Sequence, residues 1–153
     1  MYCFFIGDVG IYYSMKKSDR KKLEDRVWAE CRRIIREAYP HECYTCGAVN
    51  LEGSNLQTGH GKPKGALTLK YKYDLRNLRP QCLRCNFHHG GCTDIFLARL
   101  EKEKGEGLEF LKEACYKTED GYWKIKGNET MGGKDATFFL ENLLIEYKEL
   151  HYE

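Results

Sequence analysis

Between residues 19 and 38 the apolar positions Leu23, Val27, Cys31, Ile34, Ile35 and Ala38 recur every three or four residues, while Arg20, Arg26, Arg32, Arg33 and Arg36 fall mostly elsewhere on the helical wheel. One apolar stripe with this period predicts an amphipathic helix with a basic outer side, spanning residues 19–40. Pro40 ends it, because the residue before a proline is pushed out of the helical region. The stretch "NLQTGH" at 55–60 predicts a short strand running into His60. Beyond the Gly/Pro-punctuated loop "GKPKG", "ALTLKYKYD" alternates Leu67, Leu69, Tyr71 and Tyr73 with Thr68, Lys70 and Lys72, the pattern of a half-buried strand with lysines on its open side.

Gly90 and Gly91 break the chain, and Thr93 is placed to cap a helix carrying Phe96, Leu97 and Leu100. Further helical patterns surround "LEFLKEACYK" and "ATFFLENLLIEYKELH", the latter with Phe139, Leu143, Tyr147 and Leu150 in register, and the Gly-rich "TEDGYWKIKGNETMGGKD" between them reads as a polar connector. The elements add up to an α+β chain. A length of 153 residues suits one domain, able to bury roughly 70% of its unfolded surface. Its expected parts are an N-terminal extension (1–18), the basic helix (19–40), a cysteine-bearing core (41–92) and a helical C-terminal region (93–153).

Composition narrows the class. With 42% hydrophobic and 13% aromatic residues the chain is not disordered. No run approaches the roughly 18 apolar residues of a membrane span. The opening "MYCFFIGDVGIYYSM" lacks both a basic flank and a small-residue cleavage site, so it reads as neither anchor nor signal peptide but as an extension that pairs loosely as a strand or hairpin. Eight cysteines without a signal, four of them in Cys-x-x-Cys pairs, point to metal binding in a reducing cytoplasm.

The net charge of +2 is unevenly divided. Residues 58–90 carry seven basic side chains, Lys62, Lys64, Lys70, Lys72, Arg76, Arg79 and Arg84, against the single acid Asp74, whereas residues 91–153 hold nine basic and fourteen acidic ones. A basic excess gathered in one segment is what contact with a phosphate backbone requires, and these seven are the candidate nucleic-acid contacts.

Cys43 and Cys46 in "CYTCG" and Cys82 and Cys85 in "CLRC" form two knuckles. Two residues between cysteines let both sulfurs reach one ion, and two knuckles supply the four thiolates of a closed, structural zinc site. His41 is an alternative fourth ligand. Cys3, Cys31 and Cys115 are expected to be ordinary buried thiols, and Cys92 stays ambiguous. The knuckles bracket His60, Asn77, Asn86, His88 and His89. A helix beginning near Asn86 would place Asn86 and His89 on one face, where a second, open metal site can form.

The series "CYTCG", "LQTGH", "LRNLRPQC" and "CLRCN" resembles the HNH, or ββα-metal, endonucleases that carry a structural zinc. With the preceding basic helix and acidic helical tail, it is most similar to the phage recombination endonucleases usually called NinG or Rap, over roughly residues 20–150. The resemblance implies a zinc-stabilised ββα-metal core with flanking helices. It also implies a DNA endonuclease acting on branched or single-stranded recombination intermediates in the host cytoplasm. In that reading His60 is the general base, Asn77 orients the catalytic loop, and Mg²⁺ or Mn²⁺ is held by His89 and Asn86, with His88 in reserve and Asp74 as a further candidate carboxylate. The chain departs from the pattern at Gly59, where many relatives have an aspartate ligand, and at Asn86, where histidine is common but the endonuclease VII type also has asparagine. Junction cutting would favour a homodimer. A zinc-stabilised nucleic-acid-binding module without catalysis is the alternative.

Overall fold

The apolar stripe of the first segment folds as α1, Lys17–Ala38. Its buried positions Leu23, Val27, Cys31, Ile34 and Ile35 pack against Leu140, Leu144 and Tyr147 of the last helix, α5 (Gly133–Glu149), and against Tyr73 and Leu78. The computed structural model describes residues 17–127 and 130–151, so Cys3 and nearly all of the expected N-terminal extension lie outside the described residues. Two polar contacts fix the helix pair. Tyr147 donates its buried hydroxyl to the Tyr73 carbonyl at 2.7 Å. Arg33 donates to the carbonyls of Tyr147 and Leu150 at 2.8 and 2.9 Å, placing a cation on the unpaired carbonyl end of α5.

Strand β1 (Leu56–His60) pairs antiparallel with β2 (Leu78–Cys82), in a register that sets Leu56 opposite Cys82, Gly59 opposite Arg79 and His60 opposite Leu78. Every residue of β2 is buried. The strand contributes to the α1/α5 core through Leu78 and to a cysteine-lined cluster with Cys43, Leu51, Leu56 and Cys85 through Cys82. A third cluster is built by α3 (Thr93–Glu103), α4 (Glu106–Ala114) and the small sheet of β3 (Cys115–Lys117) and β4 (Trp123–Ile125). The fold is thus α+β, with two small antiparallel sheets among helices in the described residues. Among the described residues no helix is long and apolar enough to cross a membrane.

Three local expectations are corrected. Residues 67–73 do not form a strand; the segment makes a turn and the short helix α2 (Leu69–Lys72). Its alternation has a different origin. Leu67 and Tyr71, four apart, face the α3/α4 cluster, while Leu69 and Tyr73, also four apart, face the α1/α5 core. Two interleaved helical pairs serving two cores produce the same period of two as a strand. Secondly, no regular helix starts at Asn86. Arg84–His88 makes one wide π-helical turn, closed by the His89 N–H on the Arg84 carbonyl, and α3 begins only at Thr93, after Gly90, Gly91 and Cys92 have all taken positive φ. The cap position is therefore Cys92 rather than Thr93. Lastly, β4 lies inside the expected connector, three residues being too short for a periodic signal.

Candidate metal centre and histidine site

The first knuckle is a tight turn: Cys43 donates its N–H to Ala48 and accepts from Gly47, whose φ of 75° is left-handed and suits glycine. The second joins the end of β2 to the π-helical turn, with the Cys85 N–H on Cys82 Sγ at 3.4 Å. Together they bring the sulfurs of Cys43, Cys46, Cys82 and Cys85 within 4.8 Å of one another, Cys46 and Cys82 being 3.8 Å apart. Four thiolates at a Zn–S distance of about 2.3 Å around a tetrahedral ion stand about 3.8 Å apart, so the donors suit zinc in kind and spacing. Burial pushes the Cys85 thiol up to about 11. At Cys43 the same burial is outweighed by hydrogen bonds from Thr45 and from backbone groups, which bring the thiol down to about 6. Sulfurs this close cannot all ionise without a cation among them. The cluster could hold a metal ion such as zinc. His41 and Cys92 are outside it: His41 is exposed and near the Arg36 carbonyl, and Cys92 Sγ approaches the Cys85 carbonyl at 3.8 Å. Cys31 and Cys115 are buried, as expected of structural thiols.

His60 is the last residue of β1, and the backbone just beyond it is tied to Asn77, which precedes β2 and is fully buried. Asn77 Oδ1 accepts from the Lys62 N–H at 2.8 Å, its Nδ2 donates to the Lys62 carbonyl at 3.0 Å, and its own carbonyl accepts from the Gly61 N–H at 2.9 Å. Gly61 leaves no room for a side chain, since a Cβ would meet Asn77 Oδ1 at 2.9 Å and Phe96 at 3.0 Å. The His60 ring stacks on Trp28 of α1, with centroids 5.0 Å apart. Its Nε2 is buried and has no hydrogen-bond partner. Burial lowers the imidazole from 6.5 to about 4, against the raising effect of the Lys72 main chain, and nearby Lys64 lowers it further.

Gly59 is a packing requirement. A Cβ there would lie 1.9 Å from Gln81 Oε1 and 2.8 Å from Gln81 Cγ. Gln81 is fully buried on β2, donating through Nε2 to Thr45 Oγ1 at 3.2 Å and to the Gly91 carbonyl at 2.8 Å. It thus bolts the first knuckle to the kink before α3, and its body fills the space that a side chain at position 59 would need. The remaining candidates for a catalytic cation are sparse. Asn86 is half-buried, His88 and His89 are exposed, and His89 Nε2 already meets Arg84 Nε at 3.1 Å. Asp74 is engaged by Arg76, at 2.7 Å, and caps the turn before β2. Among the described residues, no second cluster of three histidine, cysteine or carboxylate ligands forms. Two donors, one facing a guanidinium, are not a preformed site for a hard divalent ion.

The basic segment is partly neutralised by acids from outside it. Lys72 pairs with Glu24 at 3.1 Å, Lys70 with Glu113 at 3.5 Å, Arg76 with Asp74 and with Glu113 at 2.9 Å, and Arg79 with Glu103 at 3.7 Å. Arg79 is also only 6% exposed and donates to the Leu78 carbonyl. Lys62 donates to the Trp123 carbonyl, and Lys64 sits between the rings of Trp28 and Tyr73. Among the described residues, Lys62, Lys64 and the exposed Arg84 have no carboxylate ion-pair partner. Sequence reasoning missed Trp28 and Gln81. Trp28 was visible only as a large aromatic on the border of the α1 stripe, and Gln81 carried no signal beyond lying next to Cys82.

No protein-family model, curated protein or solved structure matches the chain.

The four-cysteine site predicts that purified protein carries one zinc ion per chain and that Cys82→Ser loses both the ion and cooperative unfolding, because structural zinc contributes on the order of 10 kcal/mol to such folds. Zinc stoichiometry and circular dichroism check this; a serine variant that keeps its metal and melts like wild type would remove Cys82 from the site. For His60, the folded-state value lies below the ordinary one, so the unfolded chain takes up the proton first as pH falls. Stability is predicted to drop from about pH 6.5 towards about pH 4, with the His60 ring neutral through that window in a two-dimensional NMR titration. A midpoint near 6.5 would contradict the burial. Gly59→Asp should cost about 3 kcal/mol in urea unfolding through its overlap with Gln81; a neutral result would show that Gln81 readily swings away.

Proposed function

We propose that the chain is an HNH-type, ββα-metal DNA endonuclease of the NinG/Rap kind, hydrolysing phosphodiester bonds in branched or single-stranded recombination intermediates of a phage. The observation that carries this reading is the pair His60 and Asn77. A histidine ends the first of two antiparallel strands that are followed in chain order by helix α3, and both amide atoms of a buried asparagine lock the backbone two residues beyond it. A packing asparagine has no need to clamp that loop on both sides; a base that must be held to a fraction of an ångström does.

In this reading neutral His60 takes a proton from water as the water oxygen attacks phosphorus. The bond from phosphorus to the 3′ oxygen then breaks, and that oxygen leaves with a proton from solvent. Asn77 holds the loop that carries Lys62 and Lys64, whose ammonium groups are the contacts nearest His60 along the chain for the phosphate backbone, with Arg84 beyond the second knuckle. The expectation of Mg²⁺ or Mn²⁺ at Asn86 and His89 stands on the family resemblance, and a homodimer would give the two active centres that a four-way junction requires.

A second reading, a nucleic-acid-binding module without catalysis, is favoured by the shut-off Nε2 of His60 and the sparse cation donors.

Wild type, His60→Ala and His89→Ala, incubated with branched and linear DNA with Mg²⁺, with Mn²⁺ or with neither, separate the two. Expected are cation-dependent cutting by wild type and a loss of about a thousandfold or more in the folded His60 variant. His89→Ala should also be folded and inactive. Undiminished cutting by His60→Ala sinks the base assignment; binding without cutting by all three proteins selects the second reading.

A further inference from the structure

The Trp28 indole lies against the His60 imidazole, with planes 21° from parallel. Lys64 stands over the same indole, its ammonium 4.9 Å from the ring centre and 5.0 Å from that of Tyr73. Under this cover His60 Nε2 meets neither solvent nor a protein partner. A base so enclosed reaches no water, so proton transfer at His60 requires the cover to move.

The surroundings indicate what moves it. Trp28 is half-buried, while Arg32 and Arg36, one and two turns further along α1 on the same side, are exposed. Arg32 has no ion-pair partner among the described residues, and Arg36 donates to the Leu56 carbonyl at 3.2 Å, which holds this side of the helix beside the start of β1. An aromatic face next to a row of guanidinium groups, with an ammonium on its ring, suits a single nucleic-acid strand: a base stacks on the indole and its phosphates meet the cations. A base inside a duplex has both faces taken by its neighbours.

We propose that Trp28 selects the substrate of the His60 site, an unpaired nucleotide stacking on the indole, drawing it off the imidazole and so exposing Nε2. This rests on the reading of His60 as the base of a DNA-cutting site and narrows the substrate to DNA with unpaired nucleotides beside the scissile phosphate. The displacement is driven by what the strand offers only to the open form: a stacked base for the indole, and phosphates for Arg32, Arg36 and Lys64.

The zinc-loaded full chain tests this without relying on cleavage. In a Trp123→Phe protein, Trp28 is the remaining tryptophan, since the chain has two. With no Mg²⁺ or Mn²⁺ added, its fluorescence should be strongly quenched by a short oligothymidylate and little by a duplex at equal phosphate concentration. Trp28→Ala should weaken single-strand binding about tenfold and Trp28→Phe less, with duplex binding unchanged in both. His60 should resist acylation by diethyl pyrocarbonate in wild type and react in Trp28→Ala, read by peptide mass spectrometry. If these shifts appear but no DNA is cut under any condition, the stacking role of Trp28 holds and the nuclease reading fails. Equal quenching by single strand and duplex, or His60 reactivity that does not change in Trp28→Ala, overturns the proposal.

Discussion

Four sulfurs that repel one another once ionised stand within 4.8 Å, joining two turns 36 residues apart in the chain. A divalent cation among them would turn that repulsion into a strong local constraint, because each thiolate would gain an attraction larger than the repulsions it endures. The rest of the site depends on it. Cys82 ends β2, so fixing the second knuckle fixes the strand whose partner carries His60. Thr45, inside the first knuckle, receives Gln81, and Gln81 reaches the kink at Gly91. The cysteine cluster, the strand pair and the turn before α3 are therefore tied into one block, from which the loop between His60 and Asn77 extends.

That loop is where folding alters the meaning of the charge pattern. Along the sequence, residues 58–90 carry seven cations against the single acid Asp74. In three dimensions Glu24 of α1, Glu103 of α3 and Glu113 of α4 form ion pairs with four of them, Lys72, Arg79, Lys70 and Arg76. The exposed pairs among them, such as Lys70 with Glu113, each stabilise the fold only slightly, but together the pairs decide which cations remain for a polyanion. Among the described residues, the cations left without a carboxylate partner are Lys62, Lys64 and Arg84 in this segment and Arg26, Arg32 and Arg36 on α1.

The larger features were legible in the chain. The α1 stripe, the strand at "LQTGH" and the paired cysteines all express periods or spacings with one dominant physical cause. The failures share another cause. Leu67 to Tyr73 mimics a strand because two cores, rather than two faces of one sheet, claim alternate residues. A π-helical turn and a run of positive φ stand where a regular helix is expected near Asn86, and no side-chain pattern announces that. The glycine at position 59 has its reason in the bulk of Gln81 on the neighbouring strand, a long-range contact that local reading cannot see. The pairing of Trp28 with His60 is of the same kind.

The short helix at Leu69–Lys72 carries a consequence for cooperativity. Its alternate residues are rooted in two separate cores, and its tail, Lys72, passes beside the imidazole of His60. Melting of either core releases this segment from half of its anchors, which couples the stability of one core to that of the other. The main chain beside the histidine is thereby held from two cores at once.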